Sequence, residues 1–592
     1  MSPAGETLQA PAHSAGVGRS VNKDWLRALK LAASIEENPL RTLPVAFEDI
    51  ARERGDAPAI LFERGGFTFR ELAERARRYA RWGLSQGLKK GDAVALVMES
   101  RPDYVAIWLG LTQIGVVVAL INHHLTGPAL AHCIHIARPR LVLASAALSE
   151  NCAPAASESV ARIAICDDAF DAALATLSPA PLDLEPTLIP TISDPALYIY
   201  TSGTTGLPKA AIVSHKRVLN WGLWFCGLLD VTPADRMYNC LPLYHSVGGV
   251  VAIFSALLGG GSVALRERFS ASAFWDDVVR YDCTLFQYIG ELCRYLANAP
   301  ECEAEKKHHL RAAVGNGLRP EVWPVFERRF NIPRILEFYA ATESNFSLYN
   351  VEGEPGAIGR IPGFLAASQV VRLVRYDMES DAPSRGEDGF CIPCGPSEPG
   401  EAIARISGDF DGYLDRDASE KKILRNVFKP GDAWMRSGDL MRKDARGFFY
   451  FVDRVGDTFR WKGENVATAE VAQAIASYPG VLDVNVYGVE IPGRDGRAGM
   501  AAIVAGDGFA LQGLYAHLAE QLPAYARPLF LRLSRKLEVT ETFKHRKREL
   551  ATEGFDPRRV PDPVFFASSE RSIYAALDLA LYEKILSGAV PL

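Results

Sequence analysis

Between about residue 45 and residue 450 the chain alternates short unbroken apolar runs, such as Ala93-Val-Ala-Leu-Val97 and Leu141-Val-Leu143, with longer stretches whose apolar residues recur at helical spacing. Runs of that length suit strands buried on both faces, and their regular separation by helical patterns predicts parallel sheets covered by helices. A different pattern begins near residue 455. It predicts a helix over residues 469–477, strands over 481–489 and 500–504 and a helix over 510–522, a compact α+β unit. Residues 1–20 are rich in Ala, Gly, Ser and Pro and are expected to be disordered, whereas Trp25, Leu26, Leu29 and Leu31 mark a short amphipathic helix that docks on its own domain. The expected division is therefore a terminus over 1–20, a large domain over 21–454 and a small domain over 455–592. No internal repeat or low-complexity tract interrupts the body of the chain.

Two long apolar stretches need separate treatment. Residues 104–121 carry no charge, and residues 246–265 are broken by three consecutive glycines at 259–261. The first divides at Gly115 into a buried helix and a Val116-Val-Val118 strand, and the second is too rich in glycine for a membrane span, so both are expected in the core and no transmembrane span is predicted. The 592 residues are 48% hydrophobic and 23% charged, an ordinary soluble globular composition. A net charge of −6 argues against a nucleic-acid partner but leaves small anions open. Ten scattered cysteines without a secretory leader point to a reducing, cytoplasmic compartment. Cys391-Ile-Pro-Cys394 has neither a second pair nor a nearby histidine, so it reads as two ordinary thiols, not a zinc site.

The candidate chemistry is concentrated first in Tyr198-Ile-Tyr-Thr-Ser-Gly-Thr-Thr-Gly-Leu-Pro-Lys209. Small hydroxylated residues, two glycines and a lysine directly after an apolar strand form a phosphate cradle. Gly203 and Gly206 let backbone N–H groups turn inward, Thr201, Ser202, Thr204 and Thr205 add hydroxyl donors, and Lys209 supplies positive charge. The loop differs from the Walker A pattern, which opens a helix. Here Ala210-Ala-Ile-Val213 reads as a strand, so the loop is predicted to join two strands as a hairpin.

Downstream, in order, come Leu241-Pro-Leu-Tyr-His245, Gly315-Asn-Gly-Leu318, Glu337-Phe-Tyr-Ala-Ala-Thr-Glu343, Ser437-Gly-Asp439, Asp453-Arg-Val-Gly-Asp457 and Thr542-Phe-Lys544. As an ordered set spanning the chain from about residue 45, these motifs resemble the adenylate-forming superfamily of acyl-CoA synthetases, peptide-synthetase adenylation domains and luciferases. Within it, Tyr288-Ile-Gly-Glu-Leu-Cys-Arg-Tyr-Leu296, Gly456-Asp-Thr-Phe-Arg-Trp-Lys-Gly-Glu-Asn465 and Glu553-Gly-Phe-Asp-Pro557 resemble the fatty acid transport protein and very-long-chain acyl-CoA synthetase family. The resemblance implies an α/β fold, with a large multi-sheet N-terminal domain and a small mobile α+β C-terminal domain.

It also implies roles. Residues 201–206 and Lys209 would hold the β and γ phosphates of ATP, Thr342 would contact the α-phosphate, and Glu343 would ligate magnesium, which prefers hard oxygen donors. Tyr339 and Ala340 would border the adenine, approached closely by the backbone of Gly315, Asn316 and Gly317. Asp439 and Arg454 would take the ribose. Lys544 would be the catalytic lysine of adenylation, with Glu541 and Ser344 standing where relatives usually carry glycine. The small domain would rotate about residues 455–457, swinging residues 462–465 toward the site of thioester formation. His245 with Tyr244 resembles an aromatic gate at the carboxylate end of an acyl tunnel. Ala340 replaces the bulky aromatic of short-chain relatives. Apolar residues around 221–229, 247–254 and 286–292 suit either that tunnel or the core.

The expected activity is ATP- and magnesium-dependent ligation of a long-chain or very-long-chain fatty acid to coenzyme A, through an acyl-adenylate. Rival readings are a CoA ligase for a bile acid or carnitine-like acid, an enzyme that loads a carrier protein, and a membrane-associated fatty-acid uptake or binding protein. Peripheral contact at the inner face of a membrane is compatible with each of them. Oligomeric state is not legible in the sequence.

Overall fold

A computed structural model describes residues 20–592, apart from residues 160, 202–206, 345, 379, 407–410, 463, 495, 540–546 and 591. The first 19 residues, for which disorder is expected, lie outside the described residues.

Two large sheets organise the N-terminal part. In the six-stranded sheet the order is Arg162–Cys166, Leu141–Ser145, Ala93–Val97, Val117–Leu120, Pro195–Thr201 and Lys209–Ser214. All neighbours are parallel except the last two, which form the antiparallel hairpin anticipated around the phosphate loop, with Thr201 paired to Lys209. The apolar runs read as doubly buried strands are just that: every residue of Ala93–Val97 and of Leu141–Ser145 is buried.

The second sheet has 14 strands and changes character midway. Pro58–Leu61, Ser262–Leu265, Arg236–Asn239, Leu285–Ile289, Ala312–Asn316 and Ile335–Ala340 run parallel. From Ser347–Asn350 onward the strands are antiparallel, through Gly359–Arg360, Phe448–Arg454, Ala433–Lys443, Gly400–Arg405 and Val371–Val374. The expectation of helix-covered parallel strands as far as residue 450 therefore fails after residue 340. Among the described residues Arg416–Glu420, of five residues, is the one α-helix in this part, and short connections join antiparallel neighbours such as Ile335–Ala340 with Ser347–Asn350 and Ala433–Lys443 with Phe448–Arg454, where a parallel crossover would need a longer one.

The uncharged 104–121 stretch is the Pro102–Gln113 helix, buried nearly all round, followed by the Val117–Leu120 strand. The 246–265 stretch is a π-helical turn, Val247–Val251, that runs into the Ala252–Leu257 helix and, after the glycines, the Ser262–Leu265 strand. Trp25, on the Val21–Glu37 helix, is buried against Trp224 and Tyr349. That helix lies on His215–Leu229, where a Cβ at Gly227 would meet the Ala28 backbone at 2.6 Å, so the two axes approach as closely as a glycine permits. Leu26, on its outer face, is 61% exposed.

The C-terminal part is a five-stranded sheet with helices Thr468–Ala476, Leu511–Gln521, Lys547–Glu553 and Leu579–Leu586. It builds its own apolar core around Ile475, Met500, Leu518 and Phe530. Among the described residues no helix is long and apolar enough to cross a membrane.

Candidate functional site

The parallel strands of the larger sheet deliver several candidate residues at their C-terminal ends, where open α/β sheets place ligands. Ala312–Asn316 leads into the 315–318 turn, and Ile335–Ala340 leads into Thr342 and Glu343. Gly317 takes a φ of +81°, a conformation that a side chain would strain. Gly315 has Tyr288 pressed against it, with the Tyr288 carbonyl oxygen 2.2 Å from where a Cβ would stand.

Beneath the turn lies Glu337, which sequence analysis noted only as part of a motif. Its carboxylate accepts from the backbone N–H of Gly317 and of Leu318, and from the Tyr288 hydroxyl at 2.5 Å. Burial pushes its carboxyl up to about 8, against the downward pull of those three donors. The Asn316 side-chain oxygen is buried and has no partner among the described residues. It is an acceptor that the exocyclic amine of an adenine would satisfy.

Tyr339 donates its hydroxyl to Asp439 at 2.5 Å. Burial first, and then the Asp439 carboxylate, push that phenol far up, so it stays a donor. Asp439 and Arg454 are cross-strand partners, and Arg454 Nε lies 3.9 Å from Asp439 Oδ1. Two motifs 15 positions apart in sequence thus meet through strand register.

Glu343 is 7% exposed and has an ammonium already beside it: Lys422 Nζ stands 3.2 Å from its Oε1. Burial pushes the Glu343 carboxyl up, but Lys422, the residue's own N–H and the Tyr413 hydroxyl outweigh it and hold the group below its usual range. Lys422 also donates to the Ser437 carbonyl oxygen at 3.2 Å. Thr342 Oγ1 lies 3.2 Å from Ser246 Oγ. Arg217 fixes the same loop by donating to the carbonyl oxygens of Thr342 at 2.5 Å and of Ser344 at 3.0 Å. From the hairpin, Lys209 places its ammonium 5.8 Å from the centre of the Tyr413 ring. Tyr413 thereby joins Thr201 and Glu343 by hydrogen bonds and brings Lys209 over its ring. Ser202, Gly203, Thr204, Thr205, Gly206 and Lys544 lie outside the described residues, as does Glu541.

His245 is half-buried, with its ring 4.5 Å from that of Tyr244, which in turn meets the edge of His123 at 5.5 Å. Burial pushes the His123 imidazole down to about 4, so it is neutral at physiological pH. Ala340 is exposed and leaves open space at the end of its strand. A cavity of about 170 Å³ is lined by polar residues such as Ser347, Gln369 and Arg405 together with Trp224, Phe346 and Met435. Ser347 is the direct partner of Ala340, so both face the same side of the sheet. Phe286, Tyr288 and Leu292 are core.

Lys422, Arg217, Tyr413 and Ser246 were not singled out from sequence. Lys422 sits in a basic run that reads as solvated surface. Arg217 did carry a signal: His215, Lys216 and Arg217 crowd the first turn of a helix, where the dipole disfavours cations. Lys547, three residues past Lys544, pairs with Asp457 at 3.0 Å and donates to Thr468 at 2.6 Å.

Comparison with known proteins agrees with this geometry. Residues 47–414 match the AMP-binding enzyme family, and residues 470–544 match the AMP-binding enzyme C-terminal domain. The chain is 40% identical to long-chain fatty acid transport protein 1 of Mus musculus over 567 residues, 92% of this chain and 88% of that protein. It is 39% identical to long-chain fatty acid transport protein 6 of Homo sapiens over 589 residues, 97% and 95% of the two chains. Among solved structures, ATP-bound MatB from Rhodopseudomonas palustris superposes with a TM-score of 0.74 at 23% identity, over 86% of this chain and 98% of that one. A benzoate CoA ligase from Burkholderia xenovorans gives 0.72 at 21% identity, over 86% and 99%. With paired large and C-terminal domains and near full-length relatives, this chain belongs to the AMP-binding enzyme family, among the long-chain fatty acid transport proteins.

Proposed function

We propose that this protein is an AMP-forming acid–CoA ligase for long-chain or very-long-chain fatty acids. The observation that carries the reading is the grouping of Tyr339, Thr342 and Glu343 at one strand end, within contact of Asp439, Tyr413 and the hairpin that ends at Lys209. This is an arrangement for a nucleoside polyphosphate: a ring and an orphaned acceptor for the base, a carboxylate for two ribose hydroxyls, and hydroxyls and ammonium groups for the phosphates.

In the first half-reaction the acid's carboxylate oxygen attacks the α-phosphorus, a P–O bond forms, and pyrophosphate leaves with the electron pair of the broken bond. Thr342 and Lys209 would hold phosphate charge during that step. In the second, the thiolate of coenzyme A attacks the acyl carbon and AMP departs as the leaving group. His245 and Tyr244 border the path of the acid.

Magnesium fits the donor set. Glu343 is a single ionised carboxylate, already facing a cation, and magnesium is commonly held by one or two carboxylates together with substrate phosphates. No group of three or more metal-ligating side chains exists among the described residues, so Glu343 would act with the nucleotide and not as part of a protein cage. When bound, the ion neutralises phosphate charge.

A long acyl chain is supported by Ala340, whose small, exposed side chain leaves the strand end open where a bulky aromatic would fill it. The test is ATP-dependent AMP release across carboxylic acids from short to very long chain, with a bile acid and carnitine, each with and without coenzyme A. Turnover that requires coenzyme A and peaks at long chains is expected. A peak at the bile acid or at short chains would overturn the acid assigned, and AMP release with no acid in the panel would overturn the reading.

A further inference from the structure

The 315–318 turn is joined to the C-terminal domain by contacts that run through the Gly290–Asn298 helix. A Cβ on Gly290 would stand 1.6 Å from the Gly317 carbonyl oxygen, so the turn and the helix start are in backbone contact. Arg319, one residue past the turn, pairs with Glu291 at 2.5 Å. The other Glu291 oxygen accepts from Arg294 Nε at 2.7 Å. Arg294 in turn brings Nη2 to 3.1 Å from Asp483 Oδ2 and donates from Nη1 to the Leu482 carbonyl oxygen. Leu482 and Asp483 belong to Val481–Val489, the first strand of the C-terminal sheet.

These charges are almost dry: the side chains of Arg294, Asp483 and Glu291 are 9%, 11% and 13% exposed. Buried ions persist only with partners in place, because an unpaired charge out of water is costly. The C-terminal domain keeps a separate apolar core. Polar contacts of this kind can therefore be made and broken without unfolding either part.

We propose that Glu291 and Arg294 are positioning residues that couple occupancy of the nucleotide-base turn to docking of the C-terminal domain. The proposal rests on the ligase reading above, in which one site serves two half-reactions and the small domain takes a different orientation in each. A ligand that orders the turn fixes Arg319 and with it Glu291, which presents Arg294 to Asp483. Linkage then works in reverse: whatever factor the nucleotide adds to docking, docking adds to nucleotide affinity. Among the described residues Asp483 is connected to the turn through Arg294, Glu291 and Arg319, so it tests the coupling at a distance from the nucleotide-binding groups.

The experiment is ATP titration by calorimetry on the full chain and on Asp483→Ala, Arg294→Ala and the double variant. Alongside it, pyrophosphate exchange is compared with thioester formation from supplied acyl-adenylate. Each single variant is expected to weaken ATP binding about fivefold or more, a typical allosteric factor. The double variant should be no weaker than the worse single, since both remove one interaction. The ratio of the two half-reactions should shift by a similar factor. Unchanged or tighter ATP binding by Asp483→Ala in a chain of wild-type circular dichroism would overturn the proposal. Should Arg294→Ala fail to fold, Asp483→Asn carries the same comparison. If the wild type binds ATP but runs neither half-reaction with any acid, the ligase reading fails while the calorimetry still decides the coupling. A wild type that binds no ATP overturns both.

Discussion

Replacing Lys422 by methionine removes the charge that holds Glu343 ionised while keeping most of the side chain's volume. At 3.2 Å and an effective dielectric near 20, the pair's attraction is about 5 kcal/mol. Lys422 is 26% exposed, so solvent screens part of this, and about 3 kcal/mol, the lower end for breaking a buried pair, is the fairer figure. Glu343, held below its usual range in the wild type, would then shift upward, as burial loses its strongest opponent and only the Tyr413 hydroxyl and the backbone still pull it down. The wild-type carboxylate adds stability above its unfolded pKa, and this stability is lost as pH falls through the lower folded value. In Lys422→Met that contribution is removed, so the variant's deficit relative to the wild type is largest at high pH and shrinks as the carboxyl is protonated. Urea unfolding should therefore show a deficit of about 3 kcal/mol at pH 8 that shrinks toward pH 5. The acid limb of kcat/KM for pyrophosphate exchange should move to higher pH. A variant with the wild-type acid limb and wild-type stability at pH 8 would show that Lys422 does not set the state of Glu343.

Three further outcomes are expected. Glu337, with its carboxyl raised to about 8, should make the wild type lose stability as pH climbs from about 4.5 to 8, and Glu337→Gln should flatten that segment of the urea-unfolding profile while raising KM for ATP. Ala340→Trp should fill the open strand end and move the preference in the acid panel to short chains, with long-chain kcat/KM down by about a hundredfold, as expected when a large side chain occupies substrate space. Lys544→Ala should abolish pyrophosphate exchange yet largely spare thioester formation from supplied acyl-adenylate; loss of both in a folded variant would refute the role assigned to Lys544.

Local patterns carried much of this in the sequence, and distance in sequence set the limit. The hairpin Pro195–Thr201 and Lys209–Ser214 was legible because an apolar strand, a loop rich in glycine and hydroxyls, and a second apolar strand are neighbours in the chain. The buried helix Pro102–Gln113 was legible from the absence of charge after Asp103. The antiparallel strands beyond residue 340 were not. Their short segments mix polar and apolar residues, and pairing partners such as Gly359 and Phe449 lie some 90 positions apart. The site shows the same division. Asp439 and Arg454 each stood in a motif, but their meeting depends on the register between Ala433–Lys443 and Phe448–Arg454. Lys422 is tied to Glu343 across nearly 80 positions, and a lysine beside a second lysine carries no local sign of an internal partner.

The π-helical turn Val247–Val251 gives the wall beside His245 an unusual property. Such a turn accommodates one residue more than α-helical winding would, and here its Gly248 and Gly249 press against the backbone of residues 241–243, where a Cβ could not fit. The surplus residue is a unit of adjustment. Removing it would restore ordinary winding ahead of Ala252–Leu257 and turn His245 by about 100° relative to that helix, leaving the helix where it is. Because Val250 and Val251 belong to the buried core, a deletion here couples the aim of His245 to core packing, so the two can only change together.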